Sequence, residues 1–127
     1  MEGSLVKGKW LHLCVDMQRM FEERTDWHVP WMESISTRVE MLVETEPART
    51  VFTCFIPPSS ADQATGAWRE YYERWPDMTL EALQRESVDI IPQLARHIPP
   101  ARVFRKRVYS PWTSGELHRA LCDEQIE

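Results

Sequence analysis

A short, nearly continuous apolar run close to the N-terminus, Trp10 to Val15, limits the possible folds more than any other feature of the sequence. Only His12 interrupts it, and apolar residues follow one another instead of alternating with polar ones. This pattern is typical of a parallel strand that is buried on both faces. The run ends at Asp16, which places a carboxylate directly after the strand. Parallel strands need long crossover connections, so we expect further strands and helices to follow in alternation.

The next segments supply a helix and a second strand. Pro30 stands at a first helical position, where its missing N–H has no cost. The apolar face that we expect this helix to bury consists of four residues at helical spacing: Met32, Ile35, Val39 and Leu42. The β-branched and aromatic run 50–56 predicts a strand, which ends at Pro57 because proline cannot continue a hydrogen-bonded ladder.

The second half of the chain repeats this alternation. A helix is predicted from Asp62, as N-cap, to about Trp75, and it places four aromatic residues on one face: Trp68, Tyr71, Tyr72 and Trp75. Four shorter segments follow: a helical stretch at 80–84, an irregular connection at 89–94, a strand at 102–104 and a helix after the capping box 113–116. We therefore predict an α/β domain with a Rossmann-like parallel sheet and helices on both faces.

Composition sets the outer limits on function. The 127 residues have room for one domain, 1–127, and 43% hydrophobic with 28% charged residues is typical of a globular protein. A net charge of -5 argues against nucleic acid as a partner, and the apolar runs are too short to span a membrane, so we expect a cytoplasmic protein. The three cysteines are far apart and lack a CxxC pattern, which predicts free thiols.

The carboxyl ends of the predicted strands are where ligands bind in open α/β sheets. Asp16 follows the first strand, the loop 57–60 follows the second, and Lys106 lies just beyond the third. An acid and a lysine that face one crevice hold each other charged and can prepare a nucleophile for attack. Each residue also has an ordinary structural explanation, since aspartates cap turns and lysines are usually solvated.

Two motifs at these positions resemble those of a known enzyme family. The first is Asp16-Met-Gln-Arg-Met-Phe21, and the second is Lys106-Arg-Val-Tyr-Ser-Pro-Trp112. Both follow predicted strands, in the order found in the isochorismatase-like cysteine hydrolases. The chain resembles the N-terminal part of that family, and the resemblance extends from Trp10 through Leu121, nearly the whole sequence.

The resemblance implies a catalytic triad of Asp, Lys and Cys that cleaves small amides or related C–N bonds. Asp16 would take the thiol proton, and Lys106 would stabilise the thiolate and the developing charge. The same resemblance suggests substrate-binding residues, two at the pocket floor and three at its mouth: Gln18 and Phe21, then Trp68, Tyr72 and Tyr109. The three aromatic residues at the mouth also fit a structural role in the core or in a subunit contact.

The family's nucleophilic cysteine follows a fourth strand, and this sequence ends at Glu127, before such a strand. Cys14 and Cys54 lie within predicted strands and Cys122 at the end of the last helix, so each is expected to be a small buried or half-buried hydrophobe. Without that fourth strand the first strand becomes a sheet edge with unpaired backbone groups. We therefore expect either a fragment that lacks its C-terminal strands or a homo-oligomer that pairs this edge, and an isolated chain without activity.

Other functions fit parts of the pattern. The isochorismatase branch hydrolyses a vinyl ether, for which Asp16 could act alone as a general acid. A phosphoacceptor signalling domain would need a second acid where Met17 stands and an aspartate at Pro57. A non-catalytic association module would use only the aromatic face and the open edge. No cofactor or metal is expected, because segment 57–62 lacks the histidine of a nicotinamidase-type metal cluster, and the expected ligand is a small-molecule substrate.

Overall fold

A computed structural model describes residues 8–126 of the chain. Three parallel strands form one sheet in the order β1-β2-β3: β1 His12–Val15, β2 Thr50–Phe55 and β3 Arg102–Lys106. The predicted α/β architecture is therefore confirmed. Within residues 8–126, no helix has the length and apolar character needed to cross a lipid bilayer.

Five helices and several short turns of 3-10 helix surround the sheet. The helices are α1 Arg19–Glu22, α2 Met32–Thr45, α3 Ala67–Arg74, α4 Pro92–Ala95 and α5 Glu116–Asp123. The 3-10 turns are Pro47–Arg49, Ala61–Gln63, Pro76–Met78 and Arg85–Val88. Helices cover both faces, because α2 packs its Met32 and Val43 in the cluster that contains Phe52, whereas α3 packs Tyr72 against Phe55.

Strand alternation divides the side chains of the sheet between two faces. One, the Cys54 face, carries Cys14, Phe52, Cys54, Val103 and Arg105, and the other, the Thr53 face, carries Val15, Val51, Thr53, Phe55 and Lys106. Every residue of β2 is buried, since this strand lies between two others and under helices on both sides. The two faces therefore present separate sets of side chains to separate surroundings.

Helix α2 buries a different face from the one that its apolar spacing predicts. Its buried residues are Met32, Ser36, Glu40 and Val43, whereas Leu42 is 62% exposed. The buried face is turned toward the residues that bind the Glu40 carboxylate: Gln93, Arg96 and His97. Polar contacts with the α4 region, rather than apolar spacing alone, decide the rotation of this helix.

Four predicted local structures are wrong. The helix expected from Asp62 begins only at Ala67, because Gly66 has a φ of 58° and separates it from the 3-10 turn Ala61–Gln63. Segment 80–84 is not helical, and the connection at 89–94 instead contains the start of α4. The capping box before α5 does not form, since Gly115 is the N-cap and no side chain caps it.

Strand β1 lies at one edge of the sheet that residues 8–126 form, as expected, because β2 is the strand that pairs with it there. Val15 on β1 is apolar but 51% exposed. On the other face of the sheet, α2 carries Ile35 and Val39, which are half-buried, and Leu42, which is exposed. An apolar edge of this kind is suited to pairing with another strand.

A buried carboxylate joins α2 to the α4 region. Glu40 is 7% exposed and accepts hydrogen bonds from His97 Nε2 at 2.9 Å, Arg96 Nε at 2.8 Å and Gln93 Nε2 at 3.1 Å. The hydrogen bond from His97, with smaller contributions from Gln93 and Arg96, outweighs burial and lowers the pKa of Glu40 from 4.5 to about 2. The ionised carboxylate is therefore part of what stabilises the fold.

Stability should fall in acid through this carboxylate. Because its pKa is lower in the folded chain than the ordinary 4.5, its contribution is complete above about pH 4.5 and is lost as the pH falls toward about 2. Urea unfolding of the wild type and Glu40→Gln, at several pH values, should give a stability difference that shrinks across this window. Glu44→Gln is the control, because Glu44 is exposed and its contact with Arg96 is long, at 4.0 Å. A difference that stays constant with pH would contradict this role of Glu40.

Candidate functional site

The carboxylate of Asp16 is placed by a sharp turn at the end of β1. Asp16 has a φ of 55°, in the left-handed region that aspartate tolerates better than most residues. Its backbone N–H points to Thr53 of the neighbouring strand, at 3.2 Å from both the carbonyl oxygen and Oγ1. The turn therefore directs the Asp16 side chain back over the carboxyl end of the sheet.

Asp16 and Lys106 meet at that end, as predicted. The Asp16 Oδ2 atom is 3.2 Å from Lys106 Nζ, and Thr53 Oγ1 donates a hydrogen bond to Asp16 Oδ1 at 2.9 Å. The pair and its support thus come from the residue directly after β1 and from one residue each of β2 and β3. The predicted proximity of the acid and the lysine is present, and the catalytic role of the two residues stays a prediction.

Lys106 is not a solvated charge. Its side chain is only 3% exposed, and Nζ donates to Tyr109 O at 2.6 Å and Val108 O at 3.3 Å as well as to Asp16. The ammonium also lies 5.5 Å from the centre of the Phe55 ring, a cation–π distance. Three acceptors occupy the three N–H groups, so the cation is rigidly held beside the carboxylate.

Gln18 has a structural role in this region. It is fully buried, and its Nε2 donates to Phe55 O at 2.8 Å and Val88 O at 2.7 Å, while its Oε1 accepts from Phe55 N at 2.7 Å. Both amide hydrogens are therefore used by the backbone and are unavailable to a substrate. Gln18 fixes the end of β2 and the Arg85–Val88 turn relative to the Asp16 loop.

The predicted aromatic residues form one cluster beside the charged pair. This aromatic cluster consists of Phe21, Trp27, Phe55, Trp68, Tyr71, Tyr72 and Tyr109. Tyr109 is 62% exposed and meets Trp68 edge to face, with ring centres 5.0 Å apart. Tyr72 is 1% exposed, and its hydroxyl has no hydrogen-bonding partner among residues 8–126. Tyr109 is thus the exposed member of the cluster, whereas Tyr72 packs in its interior.

Phe21 also packs within this cluster. Its ring stacks on Trp27, with centres 6.5 Å apart and planes inclined by 13°. Trp27 in turn contacts Phe55 and Tyr71, at 6.2 and 5.8 Å between ring centres. Phe21 therefore supports Phe55 and Tyr71 through Trp27.

Sequence reasoning missed three residues of the site: Thr53, Trp27 and Tyr71. Thr53 could have been found, because Val15 pairs with Thr53 in register and Asp16 directly follows Val15. Tyr71 was identified only as part of a helical aromatic face. Trp27 lies in a turn between α1 and α2, where no periodic pattern marks it.

None of the three cysteines makes a hydrogen bond to Asp16 or Lys106. Cys14 and Cys54 project from the Cys54 face, and burial raises their pKa to about 12 and about 11, respectively. Such thiols stay protonated near neutral pH and are poor nucleophiles. Cys122 on α5 is exposed, contrary to the prediction, and its Sγ lies 3.6 Å from His118 Nε2.

One group of side chains in residues 8–126 has donor atoms close enough to ligate a metal ion. The donor atoms of Glu40, Glu44 and His97 all lie within 4.8 Å of one another. Arg96 occupies the same carboxylate oxygen of Glu40 as His97 does. The group is explained as an ion-pair network between α2 and the α4 region, and it is separate from the Asp16–Lys106 pair.

Comparisons with known proteins identify the fold. No protein-family profile and no curated protein sequence matches the chain. Among solved structures, it is similar to a cysteine hydrolase from Pseudomonas syringae pv. phaseolicola 1448A, with a TM-score of 0.72 and 22% sequence identity. The similarity covers 99% of this chain and 62% of that one, so this chain spans less than two thirds of its neighbour. The α/β fold of the two proteins is the same over the shared part.

Proposed function

We propose that this chain carries the aspartate and lysine of an isochorismatase-like cysteine hydrolase that cleaves small amides or related C–N bonds. The observation that carries this proposal is the 3.2 Å contact between Asp16 and Lys106 at the carboxyl end of a parallel sheet. The fold shared with a solved cysteine hydrolase supports the same class of reaction. The substrate would enter beside Tyr109, the exposed member of the aromatic cluster.

In the proposed reaction, the Asp16 carboxylate takes the proton of a thiol, and the resulting thiolate attacks the amide carbon. A C–S bond forms, the C–N bond breaks, and Asp16 returns the proton to the leaving amine. Water, deprotonated by Asp16, then hydrolyses the thioester to release a carboxylic acid and restore the thiol. Lys106 compensates the negative charge that Asp16 and the thiolate share.

The hydrogen bonds at Asp16 favour this route over the hydrolysis of a vinyl ether. Thr53 and Lys106 each donate to one of the two carboxylate oxygens. Both oxygens of Asp16 thus act as hydrogen-bond acceptors, whereas ether hydrolysis by Asp16 alone would need a carboxyl O–H that donates to the substrate. The geometry therefore supports Asp16 as a proton acceptor.

We infer that the nucleophilic thiol is none of the cysteines in this chain. Cys14 and Cys54 are on the other face of the sheet, and neither they nor Cys122 hydrogen-bond the charged pair. A small thiol added to the solution can test the remaining machinery, because it can take the position that a cysteine side chain would fill. The chain alone should then be inactive toward amides, and the added thiol should support slow cleavage.

The test compares purified wild type with Asp16→Asn, using small amides with and without 2-mercaptoethanol, and an isochorismate-type ether. We expect thiol-dependent amide cleavage to fall at least about tenfold in Asp16→Asn, because the general base is lost. Asp62→Asn is the control, since Asp62 is exposed. Far-UV circular dichroism shows whether each variant is folded.

Three outcomes would count against this function. Cleavage without added thiol that alkylation abolishes would make one of the chain's own cysteines the nucleophile. Thiol-dependent cleavage that is unchanged in the Asp16 variant would remove the proposed base. Ether hydrolysis that needs Asp16 and no thiol would favour the alternative reaction.

The open β1 edge favours a second candidate function, a non-catalytic association module. Val15 of this edge is apolar and 51% exposed, which suits a contact between copies of the chain. Light scattering of the same preparations separates the two functions. A mass that rises with concentration, together with no cleavage under any of the above conditions, would support association as the function.

A further inference from the structure

A second cavity lies on the opposite face of the sheet from the charged pair. It has a volume of about 470 Å³, within the usual range of small-ligand sites. Cys54 and Arg105, which pair in register on β2 and β3, line it from the Cys54 face. Thr53 and Lys106 project from the other face, so the sheet separates this cavity from the candidate hydrolase site.

Most of the residues that line the cavity are aliphatic. Five of them are branched, and they come from the end of β2, the 88–98 segment and β3: Ile56, Val88, Ile90, Ile98 and Val103. The Cys54 thiol is also part of the lining, and its Sγ donates to Val88 O at 3.1 Å. These side chains favour a ligand with an apolar body.

Three charged side chains line the same cavity: Arg19, Asp89 and Arg105. The charge of Arg19 is already compensated, because its Nε donates to Glu23 Oε1 at 2.8 Å. In the chain from residue 8 to 126, the Arg105 guanidinium and the Asp89 carboxylate have neither a hydrogen-bonding nor an ion-pair partner. The cavity thus offers one cation and one anion that remain available to a ligand.

Both of these charges flank Cys54. Arg105 pairs in register with Cys54, and Asp89 directly follows Val88, whose carbonyl oxygen accepts a hydrogen bond from Cys54 Sγ at 3.1 Å. A ligand that contacts the cavity wall at Cys54 can therefore meet a positive group on the β3 side and a negative group on the side of the 85–89 segment. Opposite charges beside an aliphatic wall match a zwitterion with an apolar side chain.

We propose that this cavity binds an apolar α-amino acid, whose carboxylate pairs with Arg105 and whose ammonium pairs with Asp89. The side chain of the ligand packs against Ile90, Ile98 and Val103. Arg105 presents a planar fork of N–H donors that suits a carboxylate. This binding does not depend on the hydrolase function, because none of its contacts involves Asp16 or Lys106.

Isothermal titration calorimetry with L-leucine tests the site. Two analogues serve as probes: 4-methylpentanoate lacks the ammonium, and 3-methylbutylamine lacks the carboxylate. Each should bind at least about tenfold more weakly than leucine, because one charge-assisted contact is lost. Arg105→Gln should weaken the binding of leucine by about the same factor and leave the affinity for 3-methylbutylamine unchanged. Asp89→Asn should also weaken the binding of leucine and leave the affinity for 4-methylpentanoate unchanged.

Arg107→Gln is the matched control, because Arg107 is an exposed arginine of the same segment that does not line this cavity. Its affinity for leucine should stay within about twofold of the wild type. Both Arg105 and Asp89 are exposed, so their substitutions should leave the fold intact. No saturable binding of leucine up to about 10 mM would overturn the proposal. Equal affinity for 4-methylpentanoate and leucine would overturn it as well, and so would unchanged leucine binding in Arg105→Gln.

Discussion

Gln18→Leu should lower the free energy of unfolding by about 3 to 5 kcal/mol, because three hydrogen bonds to the backbone are lost at once. Gln18 accepts from the N–H of Phe55 and donates to the carbonyls of Phe55 and Val88. Leucine has a similar size but can neither donate to the two carbonyls nor accept from the amide. The Val88 carbonyl keeps its hydrogen bond from Cys54 Sγ, so most of the loss falls on Phe55 at the end of β2.

Urea unfolding followed by tryptophan fluorescence measures this loss. Gln84→Leu makes the same chemical change at an exposed position, and it should alter stability by less than about 0.5 kcal/mol. Hydrogen exchange gives a local measurement, because the Phe55 amide should lose much of its protection in Gln18→Leu. If Gln18→Leu stays within about 1 kcal/mol of the wild type, the hydrogen bonds of this side chain do not hold the region together.

The position of the candidate site could be predicted from the sequence because it depends on simple rules of parallel sheets. Asp16 and Lys106 end two strands, and the carboxyl ends of parallel strands share one edge. Ninety residues separate the two in sequence, yet their charged atoms are 3.2 Å apart. Strand ends are readable from apolar runs and prolines, so this much needed no knowledge of side-chain packing.

Features that depend on several segments at once could not be predicted. Gln18 contacts Phe55 and Val88, and nothing in the sequence shows that these two backbones come within reach of one amide. The rotation of α2 follows from the partners of Glu40. Gln93 lies in the segment predicted to be irregular, and Arg96 and His97 follow it. Trp27 occupies a turn, where neither a period of 3.6 nor a period of 2 can indicate which side chains are buried.

The ion pair between Asp16 and Lys106 leads to a second large effect on stability. Removing only the Asp16 charge should destabilise the fold more than removing both charges. Asp16→Asn leaves the Lys106 ammonium, 3% exposed, without its counter-charge, and should cost about 3 to 5 kcal/mol. Lys106→Met should cost less, about 1 to 3 kcal/mol, because the Asp16 side chain is 30% exposed and can still be hydrated. The double variant Asp16→Asn/Lys106→Met should therefore be more stable than Asp16→Asn.

Urea unfolding of the wild type and these three variants forms a double-mutant cycle that measures the coupling directly. The exposed pair between Arg102 and Glu124, with side chains 45% and 39% exposed, provides the control at the other end of β3. Glu124→Gln should change stability by less than about 1 kcal/mol, since exposed pairs are weak. A double variant less stable than Asp16→Asn alone would contradict the prediction, because the uncompensated charge of Lys106 would then not be what destabilises the single variant.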